Sequence, residues 1–357
     1  MPFTVASRYS GNAQPVFAMK PCMPSILRIL TTVCTLGLAA AAPAQTPIVL
    51  KFSHVVADET PKGKAALKFK ELAQVRTGGR VRIEVYSNSS RFTDSNEIRA
   101  LQLGAVQMLA PSLSKFAPLG VKEFQAFDLP YIFDNYADLR KVTDGPVGRD
   151  LLEKLESKGI LGLAYWDNGF KVMSANRLLR NPADFQGLRV RIQSSKVLDA
   201  QMRALGATPY PLDFSQAYGA LKSGIVDGTE NPPSNLYTQN MHEVQKHVTI
   251  SNHGYLGYAV IVNKKFWDGL PSEIRQQLER ALREATRYAN DIAKRENEQA
   301  IAAVRNSGKS QVYTLSEDER RAWKKALLPV HREMEPLVGA QIIQDIYKAT
   351  GLDPNRM

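Results

Sequence analysis

The stretch Ile48–Ser87, IVLKFSHVVADETPKGKAALKFKELAQVRTGGRVRIEVYS, changes its hydrophobic period twice. IVLKFS (Ile48–Ser53) reads as a first strand, and the polar loop HVVADETPKG follows it. KAALKFKELAQV then sets Ala66, Phe69, Leu72 and Ala73 at helical spacing. TGGR breaks the helix, and VRIEVYS (Val81–Ser87) alternates as a second strand. SNEIRALQLG continues as a helix with Ser95 as its cap, and VQMLAPS (Val106–Ser112) as a third strand. A β-α-β-α-β order predicts a parallel, doubly wound sheet.

The same rhythm restarts after FDLPYIFDN. GRDLLEKLESKG reads as a helix, and ILGLAYW and FKVMSAN as strands around a DNG turn. In GLRVRIQSS (Gly187–Ser195), Leu188, Val190 and Ile192 alternate with Arg189, Arg191 and Gln193, the period of a half-buried strand. The helix SKVLDAQMRALG follows, then DFSQAYGALKSG with Asp213 at its start, then a short strand in IVDGTENPP. The chain therefore divides into two α/β halves. The strand YAVIVNKKFW (Tyr258–Trp267) crosses back between them. From Pro271 onward Ile274, Leu278, Ala281, Ala285, Tyr288 and Ile292 recur every three or four residues. One long helix packed across both halves is a simpler reading of this pattern than a coiled-coil seam. FQAFDLPYIFDN reads as a buried crossover strand and turn.

The 357 residues suffice for two domains of ordinary size. The first 44 residues read as a secretory signal: Lys20 and Arg28, an apolar run from Ile29 to Ala42, and APA at Ala42–Ala44. Translation starting at Met19 would give that signal an ordinary length. Cys34 lacks a lipobox context, so no lipid anchor is expected. Both cysteines, Cys22 and Cys34, fall in this segment, so the mature chain is expected to carry no disulfide. The segment holds Arg8, Lys20 and Arg28 and no acid, so its removal takes the formal net charge from +11 to +8. Export and the absence of a concentrated basic run argue against nucleic acid as partner. No later segment approaches a membrane span.

There is no G-x-G-x-x-G after the first strand, no phosphate-binding loop and no G-x-S-x-G elbow. Of the histidines, His54, His242, His247, His253 and His331, the middle three are not at the H-x-x-x-H spacing that places two ligands on one helical face, and neither metal nor cofactor is expected. An exported two-lobed α/β chain without catalytic signatures suggests a binding protein whose lobes close on a ligand. Arg191 carries a rigid fork that can grip a carboxylate, but a strand arginine is as readily solvated or structural. Lys171 alternates with Phe170 and Val172 and alone reads as a surface lysine. Asn231 before a proline either presents amide donors or forms a turn. Phe214 either walls a pocket or packs in the core. His54 and Lys62 flank the first loop, where the histidine donates to an anion or caps the helix.

Taken in order, these blocks are specific. FSHVVADETPKGKAALKFKELAQVRTGGRVRIEVYSNS resembles the amino-terminal signature of the TRAP-transporter solute receptors. FDLPYIFDN, MSANR, GLRVRIQSSKVLDAQMRALGATPYPLDFSQAYGALKSGIVDGTENP and GYLGYAVIVNKKFW fall where that family places its later blocks, with the branch that binds four-carbon dicarboxylates nearest in likeness. The resemblance implies a type II-like, two-lobed periplasmic binding protein with parallel-sheet lobes and a long helix spanning both. It also implies a monomer without enzyme activity, serving membrane permease subunits driven by an ion gradient. Lobe I would hold mainly residues 45–168 and lobe II mainly 169–257, with the crossover strand, spanning helix and C-terminal helices in 258–357. The selectivity arginine matches Arg191, with Asn231 and Phe214 at two further family positions. Lys171 matches a second basic position, and Ser112 a polar pocket residue; Arg189 would face outward. Arg91, in NSSRF, departs from the family pattern. The implied ligand is succinate, malate or fumarate, against a 2-oxo or sugar acid in the same class of receptor, or an exported enzyme.

Exported protein should begin at Gln45 and contain no thiol. Its mass should match that start, and reductant should leave its melting temperature unchanged, since there is no crosslink to lose.

Overall fold

The computed structural model describes residues 46–353. The expected leader, its cleavage point and both cysteines lie outside the described residues. The strands are β1 (Ile48–Ser53), β2 (Val81–Tyr86), β3 (Met108–Leu109), β4 (Ile160–Phe170), β5 (Val172–Ala175), β6 (Arg189–Ile192), β7 (Thr208–Pro211), β8 (Gly228–Asn231), β9 (His247–Ile250), β10 (Tyr255–Asn263) and β11 (Gln311–Thr314). They form two sheets, ordered β2-β1-β3-β10-β4 in lobe I and β11-β9-β5-β8-β6-β7 in lobe II.

The opening stretch folds as its periods dictate. β1 and β2 pair in parallel from Ile48 opposite Val81 to Ser53 opposite Tyr86, and β3 extends the parallel set. The helix Pro61–Arg76 between them starts at Thr60, whose hydroxyl accepts from the Gly63 amide. It buries Ala65, Ala66, Phe69 and Ala73 against Leu50 and Phe52. The lobes are α/β as expected, but their sheets are mixed and not wholly parallel. β10 runs antiparallel to both β3 and β4, because the chain returns from lobe II and enters the sheet from its far end. In lobe II, β5 is antiparallel to β8 and β9.

DNG is not a turn. β4 runs through it, because β10 pairs with it from Tyr255 opposite Phe170 to Asn263 opposite Ile160. Gly169 is required for another reason. Its φ is +155°, and a Cβ there would lie 2.6 Å from Nδ2 of Asn297. That amide donates to the Asn168 carbonyl at 2.6 Å, tying the strand to the long helix. β4 passes to β5 through Lys171 alone, and β9 to β10 through residues 251–254. These are two crossings of the chain between the lobes. FQAFDLPYIFDN supplies no strand; Lys122–Asp128 is a 3₁₀ helix, and Tyr131 sits at φ +56°.

The long helix, Ser272–Ser307, has 36 residues and is about 54 Å long. Ile274 to Ala289 pack into the lobe I core, and Ile301 and Val304 into the lobe II cluster around Phe214, Leu221 and Val248. Tyr288, expected on the buried stripe, is 36% exposed; Ala289 takes the inward position as the 3.6-residue period drifts. Among the described residues no helix is long and apolar enough to cross a membrane.

Candidate functional site

Val190 and Ile192 of β6 are buried in the lobe II core, and Arg189 is exposed, paired with Asp227 at 2.9 Å. Alternation would leave Arg191 exposed too, yet it is only 1% exposed. At the Arg191 end of this face the other lobe comes up against β6, with Asp94, Ser112 and Lys115 facing Arg191 and Gln193. Arg191 donates from Nε and Nη2 to the Leu212 carbonyl, at 3.0 and 2.7 Å, which fixes the plane of the guanidinium without using Nη1. The Phe214 ring lies 5.7 Å from it. Burial pulls the arginine below its ordinary value, opposed by Asp94, Glu230 and Asp213.

Arg191 lines a chamber between the lobes together with Lys62, Ser112, Phe214 and Asn231. Five of the seven expected site residues thus meet at one place. Lys62 comes from lobe I and is 1% exposed. Its ammonium donates to the Ala110 carbonyl at 3.0 Å and stands 3.7 Å over the Tyr258 ring. Burial, with Glu97 opposing and Lys115 reinforcing, brings it down to about 7. Ser112 Oγ donates across the lobes to Gln193 Oε1 at 2.5 Å.

Lys171 and His54 do not line the chamber. Lys171 lies in a crossing between the lobes, buried to 1% exposure, with its ammonium 2.8 Å from Glu230 Oε1. The His253 ring meets the other Glu230 oxygen at 3.2 Å. Burial pushes the Glu230 carboxyl up, but Lys171 and His253 together bring it down to about 2. His54 is fully buried behind Val55 and Val56, which line the chamber in its stead. Burial and the Lys62 charge lower its ring to about 3, so it is a neutral imidazole.

The sequence reading missed Asp94, Lys115, Gln193, Asn235 and Tyr258, all on the chamber wall. Lys115 is three residues from Ser112 in APSLSKF, and its ammonium pairs with Asp94 and, at 2.5 Å, with Glu97. Those carboxylates hold it well above the usual lysine range despite burial. Asn231 ends β8 and Asn235 lies in the helix Pro233–Thr238 that follows, so NPPSN held both asparagines within one strand-to-helix junction. Nothing local in the sequence marks Asp94. Its Oδ2 accepts from the Phe214 amide in lobe II at 2.5 Å. Beyond the chamber an open groove of about 730 Å³ runs along the lobe interface and shares Asp94, Lys115, Arg191 and Gln193 with it. Among the described residues no cluster of three or more metal-ligating side chains forms.

Residues 52–336 match the model of the bacterial extracellular solute-binding proteins, family 7. The chain is 60% identical over 326 residues to the C4-dicarboxylate-binding periplasmic protein DctP of Rhodobacter capsulatus, covering 91% of this chain and 98% of that one. A TRAP periplasmic solute-binding protein of Shewanella oneidensis, solved with bound succinate, superposes with a TM-score of 0.83 at 42% identity, covering 85% of this chain and 100% of that one. One from Pseudomonas aeruginosa, with bound L-malate, gives 0.79 at 45% identity over 80% of this chain and 100% of that one.

Replacing Lys171 by Met would strand the Glu230 carboxylate at the crossing. The expected cost in stability is about 3–5 kcal/mol by denaturant titration at pH 7. Glu230 is held below its unfolded value of 4.5, so its contribution is complete above that pH and is lost as pH falls toward 2. The difference in stability between wild type and Lys171→Met should therefore narrow over that window.

Proposed function

The chain belongs to the bacterial extracellular solute-binding proteins, family 7, and on that premise we propose that it is the periplasmic receptor of a TRAP transporter, closing its lobes on a four-carbon dicarboxylate and delivering it to the membrane permease. The observation that carries this reading is the pair Arg191 and Lys62. Each lobe brings one cation to the same chamber, and neither pairs with a carboxylate among the described residues. A ligand with a carboxylate at each end supplies both partners at once. The names and bound ligands of the relatives, succinate and L-malate among them, point the same way.

In this mechanism Arg191 grips one carboxylate through the part of its fork that Leu212 leaves free. Phe214 closes over the guanidinium, and Ser112, Asn231 and Asn235 offer polar contacts at the wall. The distal carboxylate meets Lys62, whereas Lys171, which matches the second basic position of the resemblance, is paired with Glu230. The ligand's charge restores the ammonium that burial weakens. Closing the bare chamber disfavours charged Lys62, so that penalty is full below about pH 7 and fades as pH rises toward 10.5. A monocarboxylate satisfies Arg191 and leaves Lys62 desolvated and unpaired.

Calorimetry should find succinate at least about a hundredfold tighter than butyrate, a gap of roughly 2.7 kcal/mol. Arg191→Lys should lose about 3–5 kcal/mol of succinate binding, because a point charge cannot replace the fork. Lys62→Met should shrink the succinate–butyrate gap more than it weakens butyrate, read as the coupling in a cycle of two proteins and two ligands. A coupling near zero would remove Lys62 from the distal end. Equal binding of succinate and butyrate by the wild type would remove the dicarboxylate reading itself.

A further inference from the structure

The helix Phe214–Ser223 of lobe II begins at Asp213, a residue type that ordinarily caps its own helix. Here it does not. Asp213 makes no side-chain cap bond, and its Oδ2 instead accepts from Ser95 Oγ of lobe I at 2.8 Å. The cap comes from the other lobe. Asp94, the neighbour of Ser95, accepts the Phe214 amide at 2.5 Å. Two consecutive residues of lobe I thus exchange partners with two consecutive residues of lobe II.

The exchange is well placed to hold the cleft shut. Asp94 lines both the inner chamber and the outer groove, so it stands where the two communicate. A carboxylate at a helix N-terminus is favoured by the exposed amides and by the helix dipole. The Asp94 carboxylate is also paired with Lys115, which keeps it ionised and aimed across the gap. The bond it makes fixes Phe214, whose ring covers Arg191, and the adjoining Leu212 carbonyl holds the Arg191 fork. When the lobes part, the helix loses its cap and Asp213 is free to turn back on its own amides.

We propose that Asp94 is the latch of the closed receptor: by capping the Phe214–Ser223 helix from the opposite lobe it sets how long a bound ligand stays, without being the group that recognises it. This rests on the reading of the protein as a receptor that closes on a small organic acid. A positioning residue of this kind acts on release. Diffusion of ligand into the open cleft happens before the cap exists, so association is unaffected.

The test is stopped-flow or surface-plasmon kinetics with succinate as the ligand on Asp94→Ala, Asp94→Asn and Ser95→Ala. Asp94→Ala should release succinate about tenfold faster, with the association rate within twofold of wild type. Asparagine caps a helix as well as aspartate, and Lys115 keeps Glu97, so Asp94→Asn should stay within about threefold of the wild-type release rate. Ser95→Ala, an exposed change that leaves the fold intact, should speed release about threefold. Unchanged release in Asp94→Ala and Ser95→Ala overturns the latch. So does an Asp94→Asn protein that releases as fast as Asp94→Ala, since the charge and not the cap would then matter. A loss confined to the association rate overturns it as well. Wild-type protein that binds no organic acid would instead defeat the receptor reading and be recognisable before any variant is made.

Discussion

Closing two lobes over Arg191 and Lys62 takes two positive charges out of water, and that desolvation orders everything around the cleft. Each ion costs several kcal/mol to bury, and a neutral partner orients it without discharging it. The partners present are neutral: the Leu212 carbonyl for Arg191, and the Ala110 carbonyl and Tyr258 ring for Lys62. Two further cations among the described residues, Lys115 and Lys171, are treated differently. Lys115 has Asp94 and Glu97, and Lys171 has Glu230. These two are held in carboxylate pairs, whereas Arg191 and Lys62 have neutral partners, as the proposed binding of a doubly charged ligand requires.

The same distinction explains what the sequence disclosed and what it withheld. The β-α-β start, the two halves and the long helix follow from period alone, because an apolar face must be buried whatever covers it. Arg191 and Arg189 show the limit. They sit two apart on one strand face and read alike, yet one is sealed by the opposite lobe and the other pairs with Asp227 at the surface. That difference is made by residues distant in the chain, such as Lys62 and Asp94 of the other lobe. Family resemblance drew attention to Arg191, Asn231 and Phe214. It also suggested Lys171 for the ligand, where the fold pairs it with a carboxylate that arrives from β8.

Asp213 was legible as a helix start but not as a residue that leaves its own helix amides unbonded, since the hydroxyl it accepts from lies on the other lobe. Asp94 was invisible for the converse reason: it caps a helix 120 residues further on. DNG looked like a turn because its residue types favour one. Tertiary pairing with β10 overrode that preference, and the glycine serves a close approach to Asn297 instead. Local rules describe each lobe well. Contacts that exist only when the lobes meet have no local signature.

A crossing with a one-residue link also counts. β4 ends at Phe170 and β5 begins at Val172, and each residue of β5 is paired in register with β8. Strand faces alternate with every residue, so one inserted residue at Lys171 would exchange the two faces of β5 and rotate the lysine away from Glu230. The link can lose or gain nothing without unseating the sheet that presents Asn231. The length of this one link is therefore fixed by a pairing on its far side: the register of β5 against β8, and not the link itself, sets where the chain must leave β4.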